Sequence, residues 1–131
     1  MLDWTDLLSP AGPHFHFTDA PLPPVPLSAD GLQRLTVALP DESTLARGGA
    51  EALLLGALEQ AFDLPGRMPD LAALTEVLRE RAPLALVLEV AGLRGLFRAA
   101  PEVAGAWLHA WATVAEERRT EGVSMHLVGH W

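Results

Sequence analysis

The sequence predicts an α/β fold in which a short three-stranded parallel sheet, in the order 1-2-3, carries helices mainly on one face. Strand-like and helix-like stretches alternate from residue 35 onward. Residues 84–90 form a nearly unbroken apolar run of strand length, the pattern of a strand covered on both faces in a parallel sheet. The succession strand, two helices, strand, helices, strand makes two crossover units, and right-handed crossovers on a short sheet stack their helices on one side. The order 1-2-3 follows if neither crossover skips a strand.

The first third of the chain differs from the rest. Residues 4–8 are a candidate short helix, His14-Phe15-His16-Phe17 alternates as a short strand does, and residues 21–26 are rich in proline. Residues 1–33 are therefore expected to be an N-terminal extension, able to add a short strand, lying on a core of residues 34–131. Within that core, residues 35–39 read as a strand closed by the turn signal Pro40-Asp41. A helix over residues 49–62 follows, with Ala50, Leu53, Leu54, Ala57, Leu58 and Ala61 at helical spacing. Pro65-Gly66 then punctuates the chain, Pro69 sets up a helix entry, and Asp70 can cap the free amides of the first turn. Leu71, Leu74, Val77 and Leu78 share one face of that helix, which leaves Asp70 and Glu76 to be offered outward to a cationic partner. Pro101 opens the last long helix, where Val103, Trp107, Trp111 and Val114 line one face, and the charged stretch from Glu116 to Glu121 is closed by Gly122. Residues 123–128 are the third strand. There is no internal repeat and no heptad run.

At 131 residues, half of them apolar, the chain is expected to be one domain, residues 1–131, with one hydrophobic core. No run reaches the roughly 18 apolar residues of a membrane helix, and the start lacks the basic residues of a signal peptide. A soluble, cytoplasmic monomer is expected, with no membrane partner. The absence of cysteine excludes disulfides, thiol chemistry and zinc sites built on Cys. A formal net charge of −8 repels phosphate backbones and attracts basic surfaces, so nucleic acid is not expected as a ligand. All nine basic residues are arginine.

An enzyme needs a nucleophile with its base, a phosphate loop or a metal set. The sequence has no Gly-x-Ser-x-Gly elbow, no Gly-x-x-x-x-Gly-Lys loop, and no Lys or Tyr at all. Ser9, Ser28, Ser43 and Ser124 have no acid–base neighbour in the sequence. No catalysis and no cofactor are expected. His14-x-His16 points both rings to one face of a strand and would bind metal with a third ligand, but His126 and His130 are remote in sequence, so no metal is expected. Trp107 and Trp111 read as core rather than as a platform for stacking bases, and His109 as exposed. Glu89, placed at the end of the central strand, is expected to pair with an arginine, with Arg67, Arg94 and Arg98 available. Arg67 puts positive charge in the loop before the helix that carries Asp70 and Glu76, which counts against binding a cationic partner there unless it pairs with Asp63 or Asp70.

Pro65, Asp70, Ala73-Leu74, Glu76 and Leu78, then Pro83-Leu84 and Leu86-Val87-Leu88-Glu89, resemble the barstar family of ribonuclease inhibitors, in which a Pro, a Gly-x-Asn-x-Asp-Ala-Leu-x-Asp helix start and a Leu-Val-Leu-rich strand recur in this order. The resemblance covers residues 32–131 in outline and is specific between residues 64 and 89. The opening Trp4-Thr5-Asp6-Leu7-Leu8 also looks like longer bacterial relatives with an N-terminal extension. It implies an immunity-type inhibitor whose loop and helix start, from Gly66 and Arg67 through Asp70 and Thr75 to Glu76, enter the active site of a small basic ribonuclease, carboxylates standing in for RNA phosphates. Asp70 falls at the motif's Asn and Glu76 at its last Asp, while Glu117 and Glu121 are similar to acidic positions near the family's inhibitory face. The chain departs from the pattern in four ways. The motif's Gly is absent, Met68-Pro69 shortens the loop by one residue, Ala72 occupies the first motif Asp, and Thr75 replaces the common aromatic. The alternative reading is a diverged scaffold or regulatory module that binds another protein. A small enzyme using Glu89 and neighbouring carboxylates is a third.

Overall fold

The structure, a computed structural model, describes residues 4–9, 14–18, 22–24, 31–80 and 85–130. Its elements run α1 (Trp4–Leu7), β1 (Phe15–Thr18), β2 (Leu32–Ala38), α2 (Glu42–Ala46), α3 (Ala50–Phe62), α4 (Leu71–Glu80), β3 (Ala85–Ala91), α5 (Leu93–Ala99), α6 (Pro101–Arg119) and β4 (Ser124–His130). The α/β class and the parallel sheet with helices packed on it agree with the sequence reading. The strand count and order do not: the sheet has four strands in the order β1-β4-β3-β2, all pairs parallel, rather than three in the order 1-2-3. The added strand is β1, which pairs Phe15 with Leu127 and so occupies the edge beside the last strand of the chain. Part of the Pro-rich tract, Ser28 and the Pro83-Leu84 pair of the family resemblance lie outside the described residues.

Local chemistry explains the element ends. Asp41 caps α2 by accepting from the Thr44 amide at 2.8 Å, and Asp70 caps α4 by accepting from the Ala73 amide at 2.8 Å. Pro101 sits at the first position of α6, where its missing amide costs nothing. The apolar run of β3 is explained by burial on both faces: Ala85 to Val90 are all buried. Leu86, Leu88 and Val90 point with Leu127 into a large cluster that holds Leu54, Leu58 and Phe62 of α3, Leu74 and Leu78 of α4, and Trp107, Trp111 and Val114 of α6. Val87 and Val128 point the other way, against Trp4 and Leu7 of α1. The single core expected from composition is thus two clusters, because α1 covers the face the larger helices leave open. Trp107 and Trp111 are wholly buried, and His109 is exposed, as their spacing predicted.

Candidate functional site

The loop between α3 and α4 is built from its turn outward. Leu64-Pro65-Gly66-Arg67 is a β-turn closed by the Arg67 amide donating to the Leu64 carbonyl at 3.1 Å, with proline second and a positive-φ glycine (φ 75°) third. What holds this turn is Glu59, a residue for which the sequence reading had no role. Its carbonyl accepts from the Leu64 amide at 2.9 Å, and its two carboxylate oxygens accept from the Gly66 amide at 3.1 Å and the Met68 amide at 3.0 Å. Met68 is buried and anchors the far side of the loop. A Glu near a helix end, followed by a Pro-Gly turn, is a sequence signal for this arrangement only in hindsight, since the contact depends on how the loop folds back. Because bonds to a charged acceptor are worth more than neutral ones, Glu59→Ala is expected to speed hydrogen exchange at the Gly66 and Met68 amides by about tenfold, with core amides unchanged.

Asp70 and Glu76 both face solvent. Asp70 spends one oxygen on the helix cap, and its residue remains exposed. Glu76 lies six residues on, about 9 Å along the axis at 1.5 Å per residue, and here α4 meets α6. Arg79 forks onto Glu117, with Nε donating at 2.8 Å and Nη2 at 3.0 Å, while its Nη1 donates to Glu76 at 2.9 Å. Arg118, almost fully buried, donates from Nη1 to the Arg79 carbonyl at 2.9 Å and reaches Glu121 at 3.6 Å. Glu76, Glu117 and Glu121 are therefore gathered at one end of α4, and Asp70 stands apart at the other. Thr75 turns back onto its own helix, its hydroxyl donating to the Leu71 carbonyl at 3.0 Å. Arg67 pairs with Glu80 at 3.7 Å, not with Asp63 or Asp70: the turn directs it along α4, while the Asp70 carboxylate is engaged at the helix start.

Hydrogen bonds from Arg79 hold the Glu117 carboxyl below the ordinary 4.5, with burial opposing. A carboxyl lowered by folding contributes stability above its unfolded midpoint and loses it as pH falls through the folded one. The Arg79–Glu117 clasp is thus expected to persist through neutral and mildly acidic pH and open only below 4.5. A carbon-detected NMR titration of the Glu117 carboxyl should give a midpoint under that value, and Arg79→Gln should return it upward.

A second polar group lies on the sheet face that α1 covers. Glu89 is not the last residue of its strand, which continues to Ala91. Its partners are Arg34, whose Nε donates to one carboxylate oxygen, and His130, whose Nε2 meets the other at 3.0 Å. Arg67, Arg94 and Arg98 are not involved. Arg34 is the partner because it stands on β2, in register with Val87, two residues from Glu89 on the same face. Trp4 lies over the Arg34 guanidinium, 5.7 Å from ring centroid to Cζ, and its indole N–H donates to the Pro23 carbonyl at 2.8 Å. The fold also brings His126 beside the rings of both His14 and His16, which sequence distance had argued against. His126 Nε2 meets the Ser9 carbonyl at 2.8 Å, and its Nδ1 lies 2.9 Å from His16 Nε2. His14 reaches Glu116 at 3.4 Å. Among the described residues no group of three His, Asp or Glu side chains converges as metal ligands, and no helix is long and apolar enough to cross a membrane.

A scan against protein-family models finds no match, and no curated protein matches the chain.

Proposed function

We propose that this chain is a stoichiometric protein inhibitor, similar to the barstar family, that blocks the cationic active site of a small basic ribonuclease and protects the cytoplasm that makes it. The observation that carries the reading is the exposed carboxylate edge along α4 and the end of α6. Glu76 and Glu117 stand on α4 and α6, which buried leucines and tryptophans anchor, and Asp70 and Glu121 flank the ends of those helices, so little backbone order has to be created on binding. The Glu59-held turn places Gly66 and Arg67 beside the start of that edge. Inhibition would be blockade without turnover: carboxylates occupy the places of RNA phosphates, and the net charge of −8 steers a basic enzyme toward them.

The alternative, a scaffold of this fold that binds another basic protein, is favoured by one observation. Arg79 already neutralises part of the charge of Glu76 and Glu117, so a cationic partner competes with an internal one. The two readings separate in a titration of a small secreted guanyl-type ribonuclease with this protein at low and high salt. Inhibition that ends at one equivalent and weakens with salt supports the inhibitor. Full ribonuclease activity at micromolar protein overturns it and leaves the scaffold.

A further inference from the structure

Positive charge is scarce in this chain, nine arginines against seventeen acidic residues. Arg34, Arg67, Arg79, Arg118 and Arg119 each sit in an ion pair. Arg47, Arg94 and Arg98 form none among the described residues, and all three lie on α5 or at the end of α2, elements that pack together. In a molecule with an excess of carboxylates, two guanidinium groups without an ion pair on one helix, Arg94 and Arg98, call for an explanation.

Arg94 and Arg98 border an open cavity of about 440 Å³ at the carboxyl ends of β2 and β3. Ligands of open parallel sheets sit at that end of the strands, in cavities of about this size. Two glycines shape it. Gly92 takes φ 84° to turn the chain from β3 into α5, and a Cβ there would stand 3.4 Å from the Leu39 carbonyl oxygen. A Cβ on Gly95 would lie 3.2 Å from the Glu42 amide nitrogen, so α5 rests almost backbone to backbone on the first turn of α2. That approach sets Arg94 and Arg98, one helical turn apart, along the same wall. Of the two acids at the rim, Asp41 is already committed to the Thr44 amide at 2.8 Å and the Ser43 hydroxyl at 3.0 Å. Glu42 lines the cavity and forms no ion pair with either arginine.

We propose that this cavity binds a small molecule through an oxyanion group, a phosphate or a carboxylate, held by Arg94 and Arg98. A guanidinium fork fits either group in two parallel hydrogen bonds, and an anion supplies the counter-charge the chain leaves out here. Glu42 on the opposite rim selects for a ligand that also carries a hydrogen-bond donor, and disfavours a polyanion that would crowd it. The proposal uses neither α4 nor the inhibitor reading, so each can fail alone.

The test is an NMR titration of the full chain with inorganic phosphate and, in a second arm, with succinate. Binding is expected to be saturable, with shifts confined to the Gly92 and Gly95 amides and the Arg94 and Arg98 Nε–H groups. The tighter probe identifies the oxyanion. Arg94→Gln with Arg98→Gln should weaken binding by at least about tenfold while the unfolding midpoint holds, since both side chains are exposed; Arg67→Gln should leave binding unchanged. Shifts that never saturate, that spread equally over Arg67 and Arg119, or that survive the double substitution overturn the proposal.

Discussion

On the inhibitor reading, the double variant Asp70→Asn, Glu76→Gln is expected to inhibit a small basic ribonuclease about a hundredfold or more less tightly at low salt. Losing one partner of a desolvated charge pair across an interface costs about 2–5 kcal/mol, and each 1.4 kcal/mol is tenfold in affinity; that range includes pairs from the family this chain resembles, so it is not independent of the resemblance. The substitutions are chosen from the structure. Asparagine keeps the side-chain oxygen that caps α4 at the Ala73 amide, so the charge is removed without unwinding the helix start. Glutamine at position 76 keeps an acceptor for Arg79. The loss should fall mainly on dissociation, with a smaller slowing of association at low salt that fades as the Debye length shrinks below about 10 Å. Equal inhibition by native and variant protein would remove the role assigned to this edge.

Trp111→Ala is expected to lower the unfolding free energy by about 3–5 kcal/mol, the usual cost of emptying a large aromatic site in a packed core. Small domains hold only about 5–15 kcal/mol in total, so the variant should be largely unfolded at moderate urea. Trp111 is wholly buried in the large cluster that joins α3, α4 and α6 to the sheet. Trp111→Phe should cost much less. The indole N–H has no acceptor among the described residues, so the smaller ring loses contact area but also relieves a buried donor of its desolvation cost. Urea denaturation of the three proteins gives the order; an alanine midpoint equal to the native one would contradict the burial on which it rests.

The sequence was most informative where periodicity and punctuation coincided. Helix α4 announces itself by Pro69, the Asp70 cap and four leucine or valine positions on one face, and β3 by its unbroken apolar run; both lie within a residue or so of where spacing put them. The Trp107–Trp111 face was equally plain. The short elements were not. α2 and α5 have five and seven residues, too few for a period to show, although Leu45, Leu93 and Leu96 are buried in the core and the two helices approach closely at Gly95. β1 alternates visibly, but four residues say nothing about which strand they join. The candidate edge was legible in its carboxylates and illegible in its ties. Arg79, which gathers Glu76 and Glu117, and Glu59, which fixes the turn, act across elements, and pairings of that kind depend on helix docking that no local pattern records. The same holds for Arg34 and His130 at Glu89.

The placement of β1 has a consequence for how the chain assembles. Phe15 finds its neighbour in Leu127, so β1 has no seat until β4, made much later in the chain, is in place. β1 must wait while the other three strands pair, and then closes that edge of the sheet as a final piece. Any lesion that loosens β4 would unseat β1 as well, while Trp4 keeps its contacts with Arg34 and Val87.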